Sequence, residues 1–437
     1  MSPHAAMPGA RVALVPILVL GFALRILAPE PAHRPLVSDE RDYYALGATL
    51  ARTGAYEEHG RPTAYRAPGY PAFLAGVQRL APDSGPGGVR LAQAALDAAS
   101  AGLLYALAAT WGPPVALSAA LIWSVYPPAI VYTRLLLPES LFVFLLLLWF
   151  LLAARVPWNR WWATSSLGAF MGALALVKTE AVLLLAIVPI AALIRGVRVW
   201  GAVLFLLAGA LVLAPWIARN ARVLGDPVLV TSTGPVFLIG NHPRATGGYA
   251  PDVPDSMLPR STDEAVLARE STRNAWRYIA GHPLRFLALG GAKVALVLAS
   301  EVELAVVAFH PAPADHSSPF RRKALALPLW IPLVLSLAYA FVLVAGCLGH
   351  LATPGDRIGW LFASVLVAWF AAHFLTFGGS RYHHVLMPIA ALGAARAVAM
   401  PREVRAGLVG WRRAAFLAII VALALVWSME LRALLRP

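Results

Sequence analysis

The sequence predicts an all-α, polytopic membrane protein, and three observations carry that expectation. Of its 437 residues, 59% are hydrophobic, and the mean hydropathy is +0.68. Charged residues make up 13%, about half the share of soluble domains. The apolar residues are also gathered into runs near the ~20 residues that cross ~30 Å of hydrocarbon. A soluble core of this size has no use for so much apolar side chain, whereas lipid replaces water around a membrane protein. The net charge of +14 fits arginines flanking membrane helices on the cytoplasmic side better than it fits nucleic acid. It also suits a face turned towards an anionic lipid. With Cys347 as the single cysteine, an internal disulfide and a cysteine metal cluster are excluded.

Candidate spans lie near 11–29, 89–110, 113–132, 138–154, 162–177, 180–195, 198–217, 284–309, 325–349, 358–377, 382–400 and 412–431. The first resembles a signal peptide in length. It lacks a small-residue cleavage site, with Ala28-Pro29-Glu30 following, so it reads as a retained helix. Two long polar segments, 30–88 and 218–283, interrupt the apolar pattern. Arg155 and Arg160, then Arg195 and Arg198, then Arg402, Arg405, Arg412 and Arg413 occupy three short loops. All three belong inside by the positive-inside rule. They agree if both long segments are outside and 284–309 does not cross. That run holds Lys293, Glu301 and Glu303, as an interfacial or re-entrant helix does. The expectation is eleven crossings plus one uncertain segment. A first unit, 1–400, carries the outer loops, and 401–437 adds a basic loop and a terminal helix.

The chemistry gathers after the first span. Ser38-Asp39-Glu40 precedes an amphipathic helix with Tyr43 and Tyr44, and Arg66-Ala67-Pro68-Gly69-Tyr70-Pro71 follows. Paired carboxylates there have two readings. Ser38 or Asp39 caps a helix whose dipole favours them. Alternatively, a carboxylate takes the proton of an acceptor hydroxyl as its bond to an anomeric carbon forms. The phosphate that leaves needs cations rather than an acid. Arg66, Arg134, Lys178, Arg219 and Arg381 offer them on the expected outer face.

These segments resemble the membrane glycosyltransferases of the C superfamily (GT-C), in the family of protein O-mannosyltransferases and lipid A aminoarabinose transferases. Asp39-Glu40-x-x-Tyr43 resembles its acidic motif, and Arg66 to Pro71 its Arg/Pro/Gly/Tyr segment. Pro138-Glu139-Ser140-Leu141-Phe142 resembles the acidic start of a later helix. Pro215 to Asn220 with Gly240 to Tyr249, and Arg381-Tyr382-His383-His384 through Pro388, complete the set. The resemblance covers roughly 30–250 and a patch at 378–400. It implies a GT-C fold of about 11–12 membrane helices with outer juxtamembrane helices. It also implies a polyprenyl-phosphate sugar donor, a glycan, lipid or protein acceptor, and inversion at the anomeric carbon. Asp39 is then the expected base. Glu40, Tyr43, Arg66, Tyr70, Glu139, Lys178, Asn241, Arg381, Tyr382 and His383 are expected substrate contacts, Arg381 at the donor phosphate. His383 stands where a second basic residue is common. Some relatives use a divalent metal, and Asp39 with Glu139 would suit Mg²⁺ or Mn²⁺. The expected location is a bacterial inner membrane with the site on its periplasmic face.

A transporter or flippase is the alternative. It would need polar groups near the midplane, and Asp97, one turn after Gln93, is the main one. Asp97 suits either a functional site or a helix–helix hydrogen bond.

Overall fold

A computed structural model of the chain describes residues 8–28, 36, 38–310, 320–353 and 358–435. Pro29 and Glu30, used above to read the first span, lie outside them. The described chain is helical apart from one small hairpin. α1 (Pro8–Leu27) is followed by α2 (Asp39–Thr53) and by β1 (Glu57–Glu58) paired antiparallel with β2 (Arg61–Pro62). Next come α3 (Gly69–Leu80), α4 (Gly85–Ala108), α5 (Pro113–Ser124), α6 (Pro127–Tyr132), α7 (Glu139–Arg155) and α8 (Trp161–Val177). They lead to α9 (Val182–Ile194), α10 (Val199–Leu224), α11 (Thr233–Ile239), α12 (Glu264–Gly281), α13 (Pro283–Val297) and α14 (Val302–Phe309). The last six are α15 (Phe320–Ala326), α16 (Trp330–Ala352), α17 (Gly359–Leu375), α18 (Met387–Ala399), α19 (Pro401–Gly407) and α20 (Trp411–Leu435).

By length and composition, four helical stretches among the described residues can cross a membrane: Pro82–Trp111, Val199–Leu224, Trp330–Ala352 and Trp411–Leu435. Shorter apolar helices at Val12–Leu27, Pro113–Ser124, Trp161–Val177, Thr179–Ile194 and Gly359–Leu375 accompany them. Several expected spans are therefore broken. The run 113–132 divides before Pro127-Pro128, because proline supplies no backbone donor and a new helix starts there readily. The run 382–400 opens as a 3₁₀ turn over Ser380–Leu386, and Ser380–Ala399 is bent by 103° from Pro401–Gly407. The run 284–309 is two helices, α13 and α14, with a break between Val297 and Val302.

Small residues set the closest helix approaches. A Cβ on Gly168 or Gly172 would strike the backbone of α10 at Phe205 or Gly209. One on Gly346 or Gly349 would strike α18 at Ala390 or Gly393. Such contacts hold membrane helices by packing rather than by the hydrophobic effect. The central core includes Trp123, Phe142, Trp149, Phe150 and Trp369, all fully buried.

Outside this bundle α2 packs on α3, and α11 packs on α12 around Phe237, Leu238, Ala275 and Ile279. Glu264 joins the two outer layers. Its carboxylate accepts from Thr63 Oγ1 at 2.8 Å, from the Ala64 N–H at 2.9 Å and from Thr231 Oγ1. Arg219 adds bonds to the carbonyls of Thr63 (2.6 Å) and Tyr56 (2.7 Å). The β hairpin turns through His59 and Gly60, both at positive φ, as a two-residue hairpin turn requires. Among the described residues this hairpin is the one departure from an all-α reading.

Candidate functional site

Helix ends converge where the outer layer meets the bundle. Asp39 and Glu139 are the first residues of α2 and α7, where the helix dipole favours a carboxylate. Lys178 follows the last residue of α8. Arg66 lies in the segment between β2 and α3, and Arg381 on the 3₁₀ turn before α18. Gly69 brings the Arg66 segment close: a Cβ there would meet Leu176 O at 2.7 Å, so only glycine lets α3 rest on the end of α8.

Asp39 is held by two guanidinium groups. Arg66 Nη2 donates to Oδ1 at 2.6 Å and Arg381 Nη1 to Oδ2 at 2.8 Å. Arg66 also donates to Asp42 at 2.9 Å. Asp42 lies three residues after Asp39, hence on the same helix face; that spacing was the available sign of its part in the cluster. Arg381 Nε approaches Glu139 Oε1 at 3.5 Å, and Lys178 Nζ donates to the same oxygen at 3.1 Å. The side chains of Asp39 and Arg381 are 23% and 27% exposed, while Glu139 is fully buried. The cluster is thus a chain of alternating charge, partly exposed at Asp39 and buried at Glu139.

Aromatic rings wall it. Arg66 sits over Tyr43 (5.1 Å) and Tyr65 (5.0 Å). Lys178 lies 5.8 Å from Trp369 and 5.9 Å from Tyr382, and Arg381 5.5 Å from Tyr382. Cations over aromatic faces gain from the ring quadrupole. Trp369, absent from the sequence reading, also donates its Nε1–H to the Tyr382 carbonyl at 2.7 Å.

The electrostatics follow. Burial works to raise the Asp39 pKa, but Arg381 and Arg66 outweigh it and hold the carboxyl well below the usual carboxylate range. Burial pushes the Tyr43 phenol up, so it stays protonated.

Other expected residues serve the frame. Glu40 turns away from Asp39 and accepts from the Leu136 N–H at 3.0 Å. Tyr70 donates to Gln93 at 2.7 Å, and Gln93 in turn donates to the carbonyls of Thr133 and Leu135. Asn241 donates to Phe237 O and Leu375 O and accepts from Lys293. His383 faces Val297 O and Glu301, not Asp39. Arg134 and Arg219 lie apart, with Arg134 reaching towards the Arg25 carbonyl at 3.4 Å. The capping reading of Ser38 is corrected: its side chain makes no cap bond, and it sits at φ 45°.

Asp97 is engaged. Arg25 donates to it at 2.6 Å and also bonds the carbonyls of Gly21, Ser124 and Trp123. The pair joins α1, α4 and α5 and leaves the flippase alternative without its main residue. A divalent metal does not fit Asp39 and Glu139 as arranged. Arg381 stands between them, and three of their four oxygens already meet cations. Among the described residues no group of three His, Cys, Asp or Glu could hold a metal ion.

Residues 65–218 match the model of the family described as dolichyl-phosphate-mannose-protein mannosyltransferase. The solved structures to which the chain is similar include two of ArnT from Cupriavidus metallidurans. The apo state is 14% identical, with 89% of this chain and 77% of that chain covered and a TM-score of 0.41. The form bound to undecaprenyl phosphate is 12% identical, with coverages of 90% and 78% and a TM-score of 0.37. No curated protein matches the chain. The family match includes Arg66, Glu139 and Lys178 of the cluster.

Proposed function

Taking the chain as a membrane glycosyltransferase of the GT-C type, we propose that it transfers a sugar from a polyprenyl-phosphate donor to an acceptor hydroxyl on the outer face of a bacterial inner membrane. The observation that carries the reading is the Asp39 carboxylate clamped between Arg66 and Arg381, with Glu139 and Lys178 behind. The description of the matching family names dolichyl-phosphate-mannose, a sugar on a lipid phosphate, and the clustered cations suit such a phosphate.

The donor phosphate takes Arg381 and Lys178 as its cations. It competes with Asp39 for Arg381, so donor binding frees the carboxylate from one of its two clamps. Asp39 then accepts the proton of the acceptor hydroxyl. The acceptor oxygen bonds to the anomeric carbon from the face opposite the phosphate. The bond from that carbon to the phosphate oxygen breaks, and its electron pair leaves with polyprenyl phosphate. The anomeric carbon inverts. Developing charge on the leaving phosphate meets preorganised cations, where catalytic electrostatics have most effect. In this reading Tyr43 and Tyr382 flank the sugar, and Arg66 keeps Asp39 ionised. Glu40, Tyr70, Asn241 and His383 act through the frame. The unit 1–400 carries the site, and 401–437 adds a basic segment and a terminal helix.

The test is transfer by purified full-length protein from a panel of radiolabelled polyprenyl-phosphate sugars, with membrane lipids and membrane proteins as separate acceptor pools. Transfer of label from one donor into one pool is expected. Failure with every donor would remove the proposal.

A further inference from the structure

Arg381 does not stand on a regular helix. It lies on the 3₁₀ turn Ser380–Leu386, and such turns have poorer internal hydrogen bonds than α-helices. Its aim must be fixed from outside, and two carboxylates, the buried Glu301 and the half-buried Glu303, flank it.

Glu303, on α14, accepts through Oε2 from the Ser380 N–H at 3.0 Å and from Ser380 Oγ at 2.9 Å. Glu301, one residue before α14, meets His383 Nε2 at 2.9 Å. His383 Nδ1 lies 2.8 Å from the Val297 carbonyl. A carbonyl only accepts, so Nδ1 carries a hydrogen. A second proton must then lie between Nε2 and the Glu301 carboxylate, since neither donates without one. The Tyr339 ring stacks on His383 at 4.0 Å and 14°. Glu301 and His383 are 0% and 1% exposed. The turn is thus gripped at Ser380 and at His383, on both sides of Arg381 and Tyr382. Its entry is fixed as well: the Gly378 N–H bonds Gly247 O at 2.9 Å, and a Cβ on Gly378 would strike Lys293 O.

We infer that Glu303 and the Glu301–His383 pair are positioning residues of the transfer site, holding the turn that aims Arg381 at Asp39, Glu139 and the donor phosphate. The inference rests on the phosphate role proposed for Arg381. It gives a task to two carboxylates that the reaction itself does not use. Glu303→Leu removes both bonds to Ser380, whereas Glu303→Gln keeps an acceptor oxygen for them. Ser380→Ala removes one bond with little change of volume.

The experiment uses full-length wild type and these variants in lipid nanodiscs. It reads KM for the radiolabelled donor, kcat, and binding of sugar-free undecaprenyl phosphate by quenching of tryptophan fluorescence. Glu303→Leu is expected to weaken donor KM and lipid-phosphate binding by about tenfold or more, from the loss of charge-assisted bonds. Glu303→Gln should return to within about threefold, and Ser380→Ala should fall between them. Glu301→Gln, whose amide donates to His383 Nε2 without the shared proton, should also stay within about threefold. If Glu303→Leu fails to fold, Ser380→Ala decides by the same readout. Unchanged binding in Glu303→Leu and Ser380→Ala overturns the inference. So does equal loss in Glu303→Leu and Glu303→Gln. A wild type that binds undecaprenyl phosphate but transfers no sugar refutes the transfer reading, while the binding series still decides the positioning role. A wild type that does not bind it refutes both.

Discussion

Arg381→Lys separates the geometry of the guanidinium from its charge. Arg381 presents two different nitrogens to two carboxylates, Nη1 to Asp39 at 2.8 Å and Nε to Glu139 at 3.5 Å. A lysine carries a single ammonium on a flexible stem and cannot reproduce that planar fork. Towards the donor phosphate, which takes Arg381 in place of Asp39, the substitution therefore keeps the charge and loses about one charged hydrogen bond, which contributes roughly 1.5–3 kcal/mol. At about 1.4 kcal/mol per factor of ten, kcat/KM for the donor should fall about 10- to 150-fold. Arg381→Gln removes the charge too and should cost about a further tenfold. The assay is transfer from the radiolabelled polyprenyl-phosphate sugar in nanodiscs, with donor varied at fixed acceptor. A lysine variant within twofold of wild type would mean that the fork is not used. Equal activity of the lysine and glutamine variants would mean that the charge is not used.

Three further outcomes follow from the same geometry. Lys178→Met leaves the buried Glu139 with only the longer contact to Arg381, so stability should drop by about 3 kcal/mol, the low end for a broken buried pair; thermal unfolding in detergent reads it. Arg25→Met strands the buried Asp97 and should destabilise by about 3–5 kcal/mol, with most of the loss recovered in Arg25→Met/Asp97→Leu, because an apolar pair removes the unpaired charge. Recovery that fails to appear would show that Asp97 has a task beyond pairing. The third outcome concerns pH. The Asp39 pKa is lowered on folding, so its stabilising contribution is fully present above the unfolded value of about 3.9 and is lost as pH falls below it. The stability difference between wild type and Asp39→Asn should be constant at neutral pH and shrink on acidification below about pH 4.

The charged cluster was legible as residue types, because only Asp, Glu, Arg and Lys carry the alternating charge that joins Asp39, Arg66, Arg381, Glu139 and Lys178. The direction of each side chain was not. Asp39 and Glu40 are adjacent, yet successive helical residues point about 100° apart; one meets two arginines and the other caps the 136 backbone. Asn241 and His383 were expected as substrate contacts from the resemblance; in the structure Asn241 bonds two carbonyls and Lys293, and His383 meets a carbonyl and Glu301. Glu301 and Glu303 stood out in the sequence as charges unsuited to a crossing helix. That they grip the 380–383 turn is a long-range pairing that no local pattern reveals. Span boundaries were read from hydropathy, which does not register the break before Pro127 or the 3₁₀ turn at Ser380.

The role of Asp39 as the base is tested most directly by single-turnover transfer in Asp39→Asn, with donor prebound and acceptor saturating. Asparagine keeps the shape and one acceptor oxygen but takes no proton. The account predicts donor affinity within about threefold of wild type and a transfer step slowed about 100- to 10,000-fold, the usual contribution of a general base. An unchanged transfer step in Asp39→Asn would contradict it.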